Sequence, residues 1–146
     1  GKLIPPTLFM RPPAQANAIA RQVIKPETSE AMRQLSRLNV EKGSGRRAEV
    51  EGFHVGGKTG TAEKVVNGRY DSSVRFNAFL SAFPIDKPEY VVLVVIDEPK
   101  PEEGKSSATA GLNAAPMVSA IIRRSAGFLG VEPRFGNGSQ ELSLTY

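Results

Sequence analysis

The alternation of apolar and polar positions predicts three main strands in the middle of the chain. The first strand combines two alternating sets of residues: Phe53, Val55, Gly57, Thr59 and Thr61 on one side, and His54, Gly56, Lys58 and Gly60 on the other. The second strand, over residues 76–83 (FNAFLSAF), has apolar residues on both faces. The third, over residues 90–97 (YVVLVVID), is a β-branched run typical of a strand that is buried on both faces. We expect three aromatic residues of the last two strands to belong to the core: Phe79, Phe83 and Tyr90.

The segments between these strands predict how the strands are connected. Asn67-Gly68 is typical of a tight turn, and residues 69–74 (RYDSSV) are expected to form a polar connection. The link between the second and third strands is only PIDKPE, whereas parallel strands need a crossover of about a dozen residues or more. These two strands are therefore predicted to be antiparallel neighbours.

Two segments have the spacing of helices that pack against this sheet. Residues 26–42 begin with a proline, which suits a first helical turn, and Gly43 follows as a typical helix end. The apolar stripe predicted for this helix consists of Ala31, Met32, Leu35 and Leu38. Residues 112–125 predict a second helix, with Pro116 tolerable only near its first turn and a stripe of Val118, Ile121 and Ile122. The sequence therefore predicts an α+β fold with an antiparallel sheet and packed helices.

Prolines shape the two remaining segments. Residues 1–13 contain two proline pairs, which disfavour a helix and favour extended or turn backbone. Because this opening segment also carries many apolar residues, we expect the chain to be part of a longer protein. Residues 98–111 are rich in proline, acidic and then small, and they are predicted to form a surface loop.

Composition narrows the classes of function. With 146 residues, of which 40% are hydrophobic and 23% charged, the chain has the balance of one soluble globular domain. Its net charge is +4, but the basic residues are scattered among 15 acidic ones without interleaved stacking aromatics, so no nucleic-acid partner is expected. The absence of cysteine excludes disulfides and thiolate metal sites. We expect no cofactor and no metal, since the acidic pairs Asp97-Glu98 and Glu102-Glu103 stand in proline-laced turns.

One short stretch matches a nucleotide-binding pattern. Residues 52–59 fit the phosphate-binding loop G-x-x-x-x-G-K-[ST], and the third strand ends in Asp97, where a magnesium-binding strand would end. That loop requires a buried strand before its first glycine and a helix directly after its threonine. Here the polar segment GRRAEVE precedes it, and the Asn67-Gly68 turn follows before a useful helix could form. Nucleotide binding therefore remains only a weak alternative.

The same stretch contains a second motif, Lys58-Thr59-Gly60-Thr61. K-T-G belongs, with S-x-x-K and S-D-N, to the signature of penicillin-binding proteins and serine β-lactamases. Thr59 and Thr61 share one face of the strand and could both donate hydrogen bonds to a carboxylate. Gly60 leaves room for an extended peptide to lie against the strand. Lys58 adds a positive charge, but strict alternation places it on the opposite face, so it must reach over the strand edge or sit at a distortion.

Further segments make this motif more specific. GGKTGTAEK, NAFLSAFP, YVVLVVIDEP and a helix beginning NAAPM together resemble the C-terminal part of the transpeptidase domain of class B penicillin-binding proteins, most like the cell-division type. The resemblance implies that residues 1–146 are the C-terminal portion of one such domain. Its parts would be a helix over 26–42, the motif strand and its antiparallel neighbours over 50–97, and a C-terminal helix over 112–125. The implied fold is part of the β-lactamase/transpeptidase-like fold.

The resemblance also implies a function. The family consists of serine D,D-transpeptidases that cross-link peptidoglycan stem peptides during cell-wall and septum synthesis, act at the periplasmic face of the inner membrane and are acylated by β-lactams. In such an enzyme Lys58 would be a catalytic residue that organises the proton network, and Thr59 and Thr61 would hold the carboxylate of a stem peptide or β-lactam beside Gly60. The backbone amide of Thr61 would help to form the oxyanion hole.

The sequence departs from the family pattern in one important respect. No serine is followed three residues later by lysine, and no S-x-N is present, so the chain is predicted to be inactive alone. We expect its partner to be the missing N-terminal part of the same domain, and we expect exposed apolar surface without it, which makes a homo-oligomer of the fragment possible. A non-catalytic interaction module remains an alternative. His54, the single histidine, is interpreted as structural.

Overall fold

The computed structural model of the protein describes residues 1–101, 103–104 and 108–135. Within them the fold is α+β, as predicted from the sequence. The elements in chain order are β1 (Lys2–Leu3), α1 (Pro13–Ala18), β2 (Arg21–Gln22), α2 (Pro26–Lys42), a 3-10 helix (Arg46–Ala48), β3 (Gly56–Val66), β4 (Arg69–Phe83), β5 (Tyr90–Asp97) and α3 (Ala114–Ser125). None of the described helices is long and apolar enough to cross a lipid bilayer.

The main sheet is antiparallel in the order β3-β4-β5, which confirms the predicted hairpin between the last two strands. Asn67 and Gly68 form the predicted turn, with φ angles of 51° and 78°. The polar connection predicted for residues 69–74 is wrong, because β4 already starts at Arg69, which pairs with Val66. The tight turn brings the two strands together immediately, so their polar side chains form an exposed hairpin end instead of a loop. The register between β3 and β4 shifts once, between Glu63 and Lys64.

Both long helices contribute to a core on one face of the sheet. Phe79 and Phe83 of β4 are fully buried in it, together with Val40 of α2 and Val118 of α3. Tyr90 packs against this core, with its ring centroid 5.7 Å from that of Phe83. The core assignment of the three aromatic residues is thereby confirmed.

The other face of the sheet is open in the described chain. Its exposed apolar side chains are Phe76 (41%), Leu80 (52%), Val91 (69%), Leu93 (58%) and Val95 (45%). The prediction that β5 is buried on both faces is therefore wrong, since the described helices cover only one. Apolar residues on both faces of a strand indicate that both faces need cover, and they do not show which segment supplies it.

The helices themselves bury different residues from those predicted. In α2, Met32 and Leu35 are more than half exposed, and Val40 is the buried residue. In α3, Val118 and Ile122 are buried as predicted, but Ile121 is exposed. Asn113 caps α3 by accepting a hydrogen bond from the amide of Ala114, and Pro116 lies in its first turn as predicted. The bounds of α2 are those predicted, and only its predicted apolar stripe was wrong, because this helix contacts the sheet mainly through its C-terminal end.

The N-terminal residues form a small separate unit. β1 and β2 pair antiparallel over two residues each, and α1 begins at Pro13, where a proline suits a first turn. These short elements were not predicted from the sequence. Residues 108 and 110, predicted to belong to a surface loop, are buried alanines, while Glu102 lies outside the described residues.

After α3 the chain returns to the turn at Gly52, which precedes the motif strand β3; we call residues 131–135 the C-terminal strap. Val131 is buried in the core, and the amide of Arg134 donates to the carbonyl of Gly52 at 2.8 Å. The guanidinium of Arg134 also donates two hydrogen bonds to the carboxylate of Asp86, at 2.8 and 2.7 Å. These bonds hold the pKa of Asp86 below its ordinary value. Gly52 has a φ of 85°, and a Cβ there would lie 2.9 Å from Pro133.

Candidate active site

Two glycines fix the start of the motif strand β3. A Cβ on Gly56 would lie 2.4 Å from the side chain of Ile85, and a Cβ on Gly57 would lie 2.6 Å from both the Phe79 ring and the carbonyl oxygen of Leu80. Real Cβ contacts are never this short, so only glycine lets the strand approach its neighbours this closely. The strand is therefore packed closely against Ile85 and Phe79 immediately before the motif residues.

One edge of β3 pairs with β4, and helix α2 partly covers the other. Arg37 Nη1 donates to the carbonyl of Val55, and Asn39 Nδ2 donates to the carbonyl of Gly57, both at 2.8 Å. Backbone groups alternate in direction along a strand, so the amides and carbonyls of Thr59 and Thr61 point to this same edge. The edge is thus closed up to Gly57, and from Thr59 onward no strand of the described residues pairs with it, which leaves it open to an extended peptide within that part of the chain.

The two threonine hydroxyls lie on one face of β3, as the alternation predicted. Thr59 is half-buried, and its Oγ1 is 2.8 Å from Ser44 Oγ. Thr61 is exposed, and its Oγ1 accepts a hydrogen bond from the amide of Ala110 at 3.1 Å. Because the Thr61 oxygen acts as an acceptor here, its own proton remains available for donation to a ligand.

Lys58 reaches the edge without a distortion of the strand. It lies on the opposite face from the threonines, and its Nζ donates to the carbonyl of Thr59 at 2.9 Å. The register shift lies further along β3, at Glu63 and Lys64. The side chain of Lys58 therefore folds over the strand edge, which is one of the two possibilities left open by the sequence.

Gly60 differs from the glycines that precede it. A Cβ there would meet only Ala78, at 3.8 and 3.9 Å, which is ordinary van der Waals contact. The described chain therefore does not require glycine at this position, unlike at Gly56 and Gly57.

Arg37 forms ion pairs that join α2 to the segment before the motif strand. The guanidinium of Arg37 donates to both carboxylate oxygens of Glu49 at 2.6 and 3.1 Å, and to Glu41 at 2.8 Å. Burial lowers the pKa of Arg37, but hydrogen bonds and charge from Glu49 outweigh it, so the net shift is upward. This cation thus stays charged where it joins α2 to the segment before β3.

The acidic pair Asp97-Glu98, considered as a cation site in the sequence, binds a lysine instead. Asp97 and Glu98 both bind Lys64 Nζ, at 3.0 and 2.7 Å, and these bonds, the Glu98 bond first, raise the pKa of Lys64. No group of three or more possible metal ligands occurs among residues 1–101, 103–104 and 108–135.

His54 has a φ of 46° and its carbonyl accepts a hydrogen bond from the amide of Ile85. After Thr59 the strand β3 continues to Val66, so the helix that a phosphate-binding loop requires does not follow, and the nucleotide alternative is not supported.

Sequence reasoning missed the polar residues that support the threonines. Asn39 and Ser44 lie on the last turn of α2 and in the glycine loop after it, and Ser44 Oγ donates to Asn39 Oδ1 at 3.2 Å. A serine between two glycines directly after a helix indicates only a loop. The signal that this loop lies beside the motif is tertiary and cannot be read from local spacing.

Comparison with known proteins gives a consistent result. A family model described as the penicillin binding protein transpeptidase domain matches residues 1–123. Stage V sporulation protein D of Bacillus subtilis is 42% identical over 120 residues, which cover 82% of this chain and 18% of that protein. The probable peptidoglycan D,D-transpeptidase FtsI of Caulobacter vibrioides is 39% identical over 142 residues, covering 90% of this chain and 24% of the relative.

Solved structures agree with these sequence relatives. The apo transpeptidase domain of Burkholderia pseudomallei penicillin-binding protein 3 is similar with a TM-score of 0.77 and 32% identity, over 93% of this chain and 40% of that one. Penicillin-binding protein 3 of Mycobacterium tuberculosis, complexed with ampicillin, is similar with a TM-score of 0.67 and 26% identity, over 82% of this chain and 28% of that one. The chain thus spans about a fifth to a quarter of the curated relatives described above and less than half of these solved chains.

Proposed function

This chain belongs to the penicillin-binding protein transpeptidase family, and from that membership we propose that it is the C-terminal portion of a serine D,D-transpeptidase that cross-links peptidoglycan stem peptides. The relatives named as peptidoglycan D,D-transpeptidases support this reaction, and the FtsI relative supports a role in cell division. The protein would act at the periplasmic face of the inner membrane. Its nucleophile would come from a part of the domain outside this sequence, because no S-x-x-K occurs here.

The observation that carries the proposal is the pair of threonine hydroxyls at the free edge of β3. Thr59 and Thr61 stand two residues apart on one face. Thr61 can donate to a carboxylate as it stands, and Thr59 can donate to the same carboxylate when it gives up its hydrogen bond with Ser44. The amide of Thr61 points to the same edge and can stabilise the oxyanion that forms when an acyl carbonyl is attacked. Lys58, folded over this edge, adds the positive charge that attracts the carboxylate.

These roles fit β-lactams as well as stem peptides. Both ligands carry a carboxylate next to an acyl group that a serine can attack, so the same wall of the site serves both. Penicillin-binding protein 3 of Mycobacterium tuberculosis has been solved in complexes with ampicillin and with aztreonam, which supports β-lactam binding by this family. We infer that this chain supplies the side of the active site that binds the carboxylate, and that the rest of the domain supplies the nucleophilic serine.

Labelling with a fluorescent penicillin tests the proposal. The full-length protein is expected to be labelled covalently, whereas the isolated chain is expected not to be. Replacing both Thr59 and Thr61 by valine in the full-length protein should slow labelling by roughly a hundredfold or more, because two hydrogen bonds to a charged group are lost. Thr28→Val, an exposed threonine on α2, is the matched control and should label like the wild type. Failure of the wild-type full-length protein to label would refute the proposed function.

A further inference from the structure

A buried carboxamide lies directly opposite Thr61 in the sheet. Asn77 of β4 is the register partner of Thr61, so the two side chains share the face of the sheet that carries the core. Asn77 is fully buried, whereas Thr61 is exposed. The next inward-facing residues along β4 are Phe79, Ser81 and Phe83. Because burying an amide is unfavourable unless it is hydrogen-bonded, the partners of Asn77 show what it holds in place.

The partners of Asn77 lie at the two ends of the segment that leads into α3; we call residues 108–113 the pre-helix loop. Asn77 Nδ2 donates to the carbonyl of Ala108 at 2.6 Å and to Asn113 Oδ1 at 3.1 Å. The same Asn113 oxygen caps α3. Both partner atoms are carbonyl oxygens, which can only accept, so the nitrogen of Asn77 must face them and the orientation of its carboxamide is fixed. One side chain thus ties both ends of the pre-helix loop to β4.

Between these two anchors the pre-helix loop contacts the motif strand. The amide of Ala110 donates to Thr61 Oγ1 at 3.1 Å. A Cβ on Gly111 would lie 2.5 Å from the carbonyl oxygen of Ser44 and 3.8 Å from Thr59 Cγ2. The loop is therefore packed closely against the residues around both threonines, and its position decides where the amide of Ala110 points.

We propose that Asn77 is a positioning residue for the acyl-transfer site: it holds the pre-helix loop so that the amide of Ala110 fixes the side chain of Thr61. An unrestrained threonine side chain can occupy several staggered rotamers. The hydrogen bond from Ala110 holds Thr61 in one of them and uses only its oxygen, so the hydroxyl proton stays available to a ligand. The inference rests on the proposed function and adds to it a buried residue that acts through Thr61.

The hydrogen bonding of Asn77 argues against a purely stabilising role. Its Oδ1 is buried and has no hydrogen-bond partner among the described residues, and the same holds for Nδ2 of Asn113. An unpartnered buried polar atom opposes folding, and an apolar side chain of similar volume would avoid that penalty. Asn77 is thus a poor choice for stability alone, whereas its Nδ2 is well placed to hold the loop.

A double-mutant cycle on the full-length protein tests the inference, with the rate constant of labelling by fluorescent penicillin as the readout. Asn77→Leu keeps the volume but removes the donor, and it should slow labelling about fivefold to tenfold because Thr61 is no longer held. Thr61→Val should slow labelling at least as much. In the Thr61→Val background Asn77→Leu should have no further effect, because the group through which it acts is gone.

Ser81→Ala is the matched control. It removes another buried hydrogen bond on the same face of β4, from Ser81 Oγ to the carbonyl of Val92 at 3.2 Å, and it should label like the wild type.

A second variant keeps the test decisive if Asn77→Leu does not fold. Asn113→Ala removes the acceptor at the other end of the pre-helix loop, and it should also slow labelling only while the hydroxyl of Thr61 is present. A merely structural role would slow labelling by the same factor with and without Thr61→Val. If the wild type is labelled and the factors are equal, or if both asparagine variants label like the wild type, the inference is overturned while the proposed function stands. If the wild type is not labelled, the proposed function itself fails.

Discussion

Adding one methyl group at Gly57 should destabilise this protein far more than adding it three residues later at Gly60. A Cβ at Gly57 would lie 2.6 Å from the carbonyl oxygen of Leu80 and 2.6 Å from the ring of Phe79, and the first of these is backbone that cannot rotate away. Overpacking of this kind costs about 1–3 kcal/mol, and we expect the upper end because a paired strand must shift. At Gly60 the same methyl group meets only Ala78 at ordinary distance, so Ala should cost nothing and should gain up to about 0.5–1 kcal/mol by restricting the unfolded chain.

Urea denaturation of the two variants, followed by circular dichroism, measures the difference. Gly57→Ala should lower the free energy of unfolding by about 3 kcal/mol, which corresponds to a fall in Tm of roughly 6–12 °C for a chain of this size. Gly60→Ala should match or exceed the wild type. Equal stability of the two variants would refute the view that Gly57 is required by packing within the chain.

Three further outcomes are expected. Gly68→Ala should cost about 1 kcal/mol in urea denaturation from its φ of 78° alone, since a Cβ there meets nothing, and Gly127→Ala, equally open without that φ, should be neutral. Asp86→Asn should lower stability by less than about 1 kcal/mol, given the half-exposed pair with Arg134. Because the folded pKa of Asp86 is depressed, this difference should be fully present above the ordinary aspartate pKa of about 3.9 and should be lost as the pH falls through the lower pKa of the folded state; a difference that grows on acidification would contradict it. Leu93→Lys on the open face should shift a concentrated sample towards monomer in analytical ultracentrifugation with little change in Tm, and an unchanged mass distribution would argue against association through that face.

Much of the sheet could be predicted because local chemistry determines it. The Asn67-Gly68 dipeptide fixes a two-residue turn, since both positions require a positive φ that asparagine and glycine tolerate. The short link after Phe83 leaves no length for a crossover, so β4 and β5 had to be antiparallel. The same alternation placed Thr59 and Thr61 on one face correctly.

The supporting residues of the site could not be predicted, because long-range packing brings them together. Asn39 is 18 residues from Gly57, and a helix stripe read as apolar gave no reason to select an asparagine. The exposure of Met32 and Leu35 has the same origin: an apolar stripe shows that a helix face needs cover and not which segment covers it. The open face of β5 is a further example of this limit.

The C-terminal strap shows that the family match and the packed structure end at different residues. The family model ends at residue 123, before the end of α3, whereas Val131 fills the core and Arg134 secures the left-handed turn at Gly52 that leads into the motif strand. A protein trimmed to the matched residues would lose a core side chain and the brace on that turn. Shortened versions made for crystallisation or inhibitor screening should therefore extend through at least residue 135.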